Sequence, residues 1–299
     1  MRISERQRYR QTNDRVQRAR VNNMDSLEQI STLKKINRIS DDPVGVGKVI
    51  RYKDRLKSLG QFKSNVEFSK GYLEKAEVAV QTMSDNLIRA QELAVSLSNG
   101  TYDAASRKSA AKEVKQIMNE VVSSGNATYA GRHIFSGYRT QTPSLSDDGS
   151  YLGDDGAVFL QVDDGDFRQV NLQARYLFEA SAPERELGHF NMVDSLEILH
   201  DGLAGNDVNG IRLALHELNH QIQKTTSYQA TLGSLQRSMA ASEKKIEADT
   251  VATTDLKSKI EEVDMFKASS DFHRSETVLQ STLQASNKML QPSLMNFMQ

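Results

Sequence analysis

The sequence contains no cysteine and no tryptophan, and only four of its 299 residues are proline. Without cysteine there is no disulfide, no thiolate metal site and no cysteine nucleophile. The scarcity of proline and of aromatic residues favours helices over a β-sandwich or barrel. The sequence also lacks a run of about 18 apolar residues, which a membrane helix needs, and its net charge of −1 disfavours a chain that coats nucleic acid. We therefore expect a mainly α protein with no nucleic-acid partner and no membrane insertion.

Charge and glycine are distributed unevenly along the chain. Residues 1–59 hold 15 basic and 7 acidic side chains, whereas residues 141–190 hold 3 basic and 10 acidic ones. Nine of the 17 glycines lie between Gly137 and Gly210, and none follows Gly233. This distribution predicts a helical N-terminal part, an acidic and loop-rich middle, and a helical C-terminal part.

Long apolar seams predict helices on both sides of the acidic middle. From Phe62 to Leu97 small or apolar residues recur at alternating steps of four and three, as in a helix packed against other helices. From Leu232 to Val263 the same alternation contains three polar residues. Because only Pro292 interrupts the chain after Gly233, we expect helix to continue to about residue 290. A shorter helix is predicted near residues 103–125.

The acidic middle has the pattern of β-hairpins. Asp-Gly pairs occur at 148–149, 155–156 and 164–165, and apolar stretches at 157–162 and 167–172 flank the last pair. The spacing of the aspartates does not fit a twelve-residue calcium loop with a closing glutamate. Turn formation is therefore favoured over calcium binding.

The N-terminal segment repeats its apolar residues every third position as far as Ile39, which on a helix winds the apolar stripe around the rod. Such a helix has no single solvent face, so it needs several neighbours to cover it or lies buried in one compact core. The C-terminal region has a similarly incomplete pattern. We predict that these two segments form an assembly surface, made up of Val21, Met24, Leu27, Ile30, Leu33, Ile36, Leu279, Leu283, Leu290 and Leu294.

One motif is typical of catalysis. His216, Glu217 and His220 match H-E-x-x-H, in which two histidines one helical turn apart bind zinc and the glutamate is the general base. A catalytic zinc also needs a third protein ligand and an open cleft, and residues 221–231 contain no Asp, Glu, His or Gly. The sequence favours two surface histidines on a packed helix, with no catalytic residue, no cofactor and at most an incidental metal at His216 and His220. A zinc metalloprotease is the distant alternative.

Four stretches of the sequence resemble the flagellin family, over roughly residues 1–140 and 230–299. They begin at Met1, Arg38, Ala90 and Gly131, and read MRIS, RISDDP, AQELAV and GRHIFSG. His133 stands where an aromatic residue is common. The positions that match the family motifs most specifically are Ser40, Asp41, Asp42, Pro43, Phe135, Ser136 and Gly137.

The resemblance implies a long antiparallel helical bundle or coiled coil formed by both ends of the chain, with a small β-rich central insert. In this family the two ends lie in the inner tube of the flagellum, are disordered in the free monomer, and become ordered when neighbours pack on them. The corresponding segments here are an N-terminal inner-core assembly segment (1–45), two halves of the bundle (46–140 and 191–265), an outward-facing insert (141–190) and a C-terminal inner-core assembly segment (266–299).

Within the family, four features favour the junction members over the filament subunit: the MRIS start, the SDDP at 40–43, the FSG at 135–137, and the final Pro292-Ser293-Leu294 with Phe297. The resemblance then implies a non-enzymatic structural adaptor that joins the hook, through another hook-associated protein, to the flagellin filament by coupled folding and assembly. Its implied partners are neighbouring copies of itself, that hook-associated protein, flagellin and a flagellar export chaperone. The implied location is the extracellular hook–filament junction, reached by leaderless export through the flagellar type III apparatus. A flagellin filament subunit is the alternative.

Overall fold

The computed structural model describes residues 2–99 and 102–290, which are mainly helical, as predicted. The outer helices are long, and the strands are short and lie in the middle of the chain. In order, the elements are α1 (Arg2–Thr32), α2 (Pro43–Leu97), α3 (Ala104–Gly125), β1 (Thr128–Tyr129), β2 (Arg132–His133), β3 (Phe159–Asp163), β4 (Asp166–Gln169), α4 (Arg175–Phe178), α5 (Ala182–Glu186), α6 (Met192–Ala204), α7 (Val208–Glu261) and α8 (Met265–Leu290). None of these helices is long and apolar enough, over the described residues, to cross a lipid bilayer.

The chain divides into two compact units. The terminal unit comprises residues 1–58 and 249–299, and the central unit comprises residues 59–248. Helices α2 and α7 contribute residues to both units. The division therefore falls inside α2, between residues 58 and 59, and inside α7, between residues 248 and 249.

The core of the central unit is the predicted seam of α2. All members of the alternating series are buried because this face of α2 packs against other helices of the unit: Phe62, Val66, Ser69, Leu73, Ala76, Val80, Met83, Leu87, Ala90, Ala94 and Leu97. Lys70 pairs with Glu243 at 2.8 Å, whereas Gln91 donates to Asn219 at 2.6 Å. As the residue number on α2 rises from 70 to 91, the residue number of the partner on α7 falls from 243 to 219. The two helices are therefore antiparallel, which confirms the predicted bundle.

Helix α3 packs against α6 and completes the helical core of this unit. It begins at its N-cap, Asp103, whose carboxylate accepts from the Ser106 N–H at 2.9 Å. The buried guanidinium of Arg107 donates to the carbonyls of Leu97 and Asn99, both at 3.0 Å. These carbonyls lie at and just beyond the C-terminal end of α2, where no helical N–H is available to donate to them. The Arg107 guanidinium supplies the missing donors.

The predicted hairpin at Asp164-Gly165 is present as the antiparallel pair β3–β4. Phe159 lies opposite Gln169, and Gly165 has a φ of +74°, the left-handed conformation that favours glycine in a tight turn. The rest of residues 141–190 consists mainly of turns and the short helices α4 and α5, so the insert has less β-structure than predicted. A second small sheet, β1–β2, precedes it.

The Phe135-Ser136-Gly137 motif is a structural element of the central core. Phe135 contacts the edge of Phe178 at a centroid distance of 5.8 Å, and the buried Ser136 hydroxyl donates to the Thr142 carbonyl at 2.9 Å. Gly137 has a φ of +68°, and a Cβ there would collide with Asp154. The motif therefore fixes the start of the insert.

Two helix boundaries differ from the sequence prediction. Helix α1 ends at Thr32 and Leu33 has a φ of +58°, so Leu33, Ile36 and Ile39 are not on the helix that carries Val21. Helix α7 ends at Glu261, and Asp264 begins α8 by accepting from the Phe266 N–H at 2.9 Å. Helix therefore runs most of the way to residue 290, as predicted, with one break at residues 262–264, after which an aspartate cap restarts the helix without glycine or proline.

Candidate assembly surface

The surface predicted for assembly lies on the terminal unit, where α1 and α8 pack against each other. Their contact is made by small and polar side chains. Ala19 and Ser286 are each 8% exposed, and the Asn23 amide donates to the Ser275 hydroxyl at 3.1 Å. The contact between the two helices therefore holds them close but buries few large apolar groups.

The large apolar side chains of this pair lie mostly outside that contact. Met24 is 66% exposed, Val21 is 52% exposed and Leu27 is 50% exposed on α1, while Val278 is 50% exposed on α8. Single exposed apolar residues are common on folded proteins, whereas several on one pair of helices make a candidate protein contact. The described residues of the terminal unit leave these side chains uncovered.

The ten predicted assembly residues fall into four groups. Val21, Met24, Leu27, Leu33 and Leu283 are exposed, whereas Ile30 and Leu279 are half-buried. Ile36 is 9% exposed and packs within the unit, so its role in the isolated chain is internal. The side chain of Leu290 and the whole of Leu294 lie outside the part of the chain that the structure describes. Further exposed apolar residues of this unit, beyond the ten predicted ones, include Ile39, Val44, Ile50, Met265, Phe266 and Val278.

The Ser40-to-Pro43 motif begins α2. The Asp41 carboxylate accepts from the N–H groups of Arg38 at 2.8 Å and Asn37 at 3.0 Å, and these two bonds lower its pKa below the ordinary value. The Asp42 carboxylate accepts from the Gly45 N–H at 2.9 Å and so caps the helix, with Pro43 at the first helical position. The first aspartate closes the preceding turn, and the second starts the helix.

Gly45 allows a close approach between the start of α2 and the chain before it. A Cβ at this position would collide with the Asp42 carboxylate and would lie 2.8 Å from Cδ1 of Ile36. Gly47, two residues later, has nothing within 4 Å of the corresponding position. A side chain at position 45 therefore requires Asp42 and Ile36 to shift, whereas one at position 47 does not.

The segments that follow α1 and α7 pair with each other. The Lys35 N–H donates to the Glu261 carbonyl at 2.8 Å, and the Val263 N–H donates to the Leu33 carbonyl at 3.2 Å. The Glu261 side chain is 7% exposed and receives ammonium groups from Lys34 at 2.9 Å, Lys53 at 3.3 Å and Lys257 at 3.4 Å. Burial alone would raise the pKa of Glu261, but the hydrogen bonds from Lys34 and Lys53 lower it overall.

The H-E-x-x-H residues lie in the central unit, on α7. Glu217 is 1% exposed, and its carboxylate accepts from the Phe190 N–H at 3.1 Å and lies 3.2 Å from Nδ1 of His189. His220 Nε2 lies 3.1 Å from the Glu184 carboxylate. The group that a zinc protease would use as general base is therefore buried and already hydrogen bonded.

Family models match both helical parts of the chain. The model of the bacterial flagellin N-terminal helical region matches residues 3–140, and that of the bacterial flagellin C-terminal helical region matches residues 215–298. Together they cover about three quarters of the chain. The chain therefore belongs to the flagellin family, whose members are helical structural proteins of the bacterial flagellum.

Among individual proteins, the flagellar hook-associated protein 3 of Escherichia coli is 28% identical over 165 residues, which are 54% of this chain and 52% of that protein. The match thus spans about half the length of that relative. Flagellin of Bacillus subtilis is 23% identical over 261 residues, 86% of each chain.

Two solved structures share the fold. FlgL of Bacillus cereus has a TM-score of 0.60 at 21% identity, over 70% of this chain and 99% of that chain. The flagellar junction protein FlgL of Legionella pneumophila has a TM-score of 0.57 at 14% identity, over 71% of this chain and 100% of that chain. At these identities the likeness shows the architecture alone.

Proposed function

We propose that this chain is a structural adaptor of the bacterial flagellum that joins the hook, through another hook-associated protein, to the flagellin filament. The observation that carries the proposal is the composition of the α1–α8 pair, which buries small residues and exposes large apolar ones. Family membership and the similarity to a hook-associated protein support the same role.

The mechanism is completion of the terminal unit by neighbouring subunits. Covering a half-exposed valine, leucine or methionine stabilises an assembly by about 1 kcal/mol per side chain. Val21, Met24, Leu27, Val278 and Leu283 together supply several kcal/mol per subunit, which is enough to offset part of the entropy lost on association. Assembly thus completes a hydrophobic core that the free chain leaves open.

The partners follow from the same role. Neighbouring copies of this chain, a hook-associated protein on the hook side and flagellin on the filament side cover the terminal segments 1–45 and 266–299. Residues 141–190 face outward. Export to the extracellular junction uses the flagellar type III apparatus and an export chaperone.

A flagellin filament subunit is the second candidate function. It is favoured by the match to Bacillus subtilis flagellin, which spans a larger share of the chain than the match to hook-associated protein 3. The two functions differ in how far assembly proceeds, because a filament subunit adds to its own kind without limit and a junction subunit stops after a defined layer.

An assembly assay separates them. Purified chain is added to isolated hooks that carry the preceding hook-associated protein, and separately to filament seeds, and bound protein is followed by sedimentation and electron microscopy. Saturable binding to hooks, followed by flagellin growth on the capped hooks, is the expected result. Indefinite growth of the chain on filament seeds would establish the filament subunit instead.

A pair of matched variants tests the surface itself. Val21→Asp places a charge on the assembly surface, and Val78→Asp places the same charge on an exposed valine of the central unit, 60% exposed. We expect the first to abolish layer formation and the second to retain it, with both chains showing wild-type helical circular dichroism. Normal assembly of Val21→Asp would contradict the proposed surface.

A further inference from the structure

Three histidines and two glutamates meet in the central unit, where the segment between α5 and α6 packs on α7. His189 comes from that segment, His216, Glu217 and His220 come from α7, and Glu184 comes from α5. Neither the assembly surface nor the family motifs use this cluster.

The His189 ring lies against both α7 histidines. It stacks on His220 at a centroid distance of 4.0 Å and an interplanar angle of 11°, and on His216 at 5.9 Å and 25°. Its Nδ1 is 3.2 Å and 3.3 Å from the two carboxylate oxygens of Glu217. One ligand atom from each of His189, His216 and Glu217 lies within 4.8 Å of the other two.

These separations suit a small dication. Zinc binds imidazole nitrogen and carboxylate oxygen at about 2.0–2.2 Å, so two ligands of a tetrahedral site are about 3.3 Å apart. The distance from His189 Nδ1 to Glu217 already has this value. His216 is exposed and can turn its ring inward, whereas the Phe190 N–H holds the Glu217 carboxylate in place at 3.1 Å.

The charge balance also favours a cation. Glu217 is 1% exposed, and among the described residues its one ion-pair partner is His189, with no lysine or arginine. One main-chain N–H and the His189 imidazole contact this carboxylate, so no fixed positive charge among the described residues balances it, and a bound metal ion would supply that charge. Imidazole and carboxylate together are ligands that select zinc and neighbouring transition metals over calcium or magnesium.

We propose that His189, His216 and Glu217 bind one transition-metal dication such as Zn²⁺, with water in the fourth position. Glu217 is a ligand here rather than a general base, and His220 supports the His189 ring while its Nε2 is held by Glu184. The metal fastens the segment before α6 to α7, so its role is structural. The site is independent of the proposed adaptor function, and either can fail without the other.

The test uses full-length protein without a histidine tag, stripped with EDTA and then freed of it. Co²⁺ titration followed by visible absorption, and Zn²⁺ titration by calorimetry, are expected to give one ion per chain. His216→Asn removes an exposed ligand and is expected to weaken binding at least tenfold. His273→Asn, at an exposed histidine of α8, is the matched control and is expected to bind as wild type. Absence of one-to-one binding, or unchanged binding by His216→Asn, would overturn the proposal.

Thermal melting distinguishes coordination from a plain hydrogen bond between His189 and Glu217. When the free Zn²⁺ concentration is about one hundred times the Kd, the Tm of the wild type is expected to rise by about 5 °C. His216→Asn is expected to melt with the wild type in EDTA, which would show that it folds, and to shift with zinc by no more than about half as much as the wild type. Equal increases in Tm with zinc for both chains would contradict the proposed site.

Discussion

The Lys34 ammonium lies 2.9 Å from the Glu261 carboxylate, at the position where the chain beyond α1 meets the end of α7. The neighbouring Lys35 N–H donates to the Glu261 carbonyl at 2.8 Å, so one glutamate takes part in both a side-chain and a main-chain link. The ion pair therefore fixes the register between two helix interruptions that are more than 200 residues apart in sequence.

Glu261→Gln is expected to destabilise the terminal unit by about 1–2 kcal/mol, because it replaces a buried carboxylate, which three lysine ammonium groups contact, with an uncharged amide. Hydrogen exchange measures this change locally, as faster exchange in α1 and α8. Glu262→Gln, at the exposed neighbouring residue, is the control and is expected to exchange as wild type. Unaltered exchange in Glu261→Gln would show that the main-chain pairing suffices without the charge.

The same glutamate predicts a pH dependence. Its pKa in the folded chain is below the ordinary value of 4.5, so the folded state favours the carboxylate. The resulting stability is fully present above pH 4.5 and is lost as the pH falls through the folded pKa. We expect hydrogen exchange in α1 of the wild type and of Glu261→Gln to differ at pH 7 and to converge, after correction for intrinsic rates, below pH 4.5. A difference that persists in acid would contradict the assignment.

Two glycines near the start of α2 are expected to respond differently to alanine. Gly47→Ala is expected to stabilise the chain by about 0.5–1 kcal/mol, because alanine favours helix and the site is open. Gly45→Ala displaces the Asp42 cap and Ile36, and loss of a cap costs about 1 kcal/mol. Chemical denaturation is expected to place Gly45→Ala at least about 1 kcal/mol below Gly47→Ala. Equal stabilities would show that the cap does not depend on the missing Cβ.

A larger side chain in the contact between α1 and α8, which buries small residues, is expected to destabilise the pair. Ala19→Leu overpacks it, at a cost of about 1–3 kcal/mol, and is expected to accelerate hydrogen exchange in both helices while exchange in α3 stays unchanged. Gln17→Leu adds an apolar side chain at an exposed position of the same helix and is expected to have no effect. Slow exchange in Ala19→Leu would mean that the contact is loose enough to accept a larger residue.

The central bundle was predictable from sequence because its contacts recur within one helix face. Every residue of the series from Phe62 to Leu97 is buried, so the spacing of small and apolar residues in the sequence matches the spacing of the buried positions on the helix. The hairpin was also predictable, since an Asp-Gly pair determines its turn locally.

The terminal unit was less predictable because its boundaries depend on distant partners. The ends of α1 and α7 are set by hydrogen bonds between residues 33–35 and 261–263, which no local pattern contains. An aspartate at 264, ahead of an apolar pair, was the available signal for the restart of the helix. His189 was likewise overlooked, because its proximity to His216 and Glu217 arises from the packing of a loop on α7.

The paired interruptions also have a mechanical consequence. The chain after α1 and the chain after α7 are hydrogen bonded to each other, so the two helix breaks lie side by side in the terminal unit. A change of backbone conformation at one break therefore removes hydrogen bonds that also hold the other, which couples the two ends of the chain.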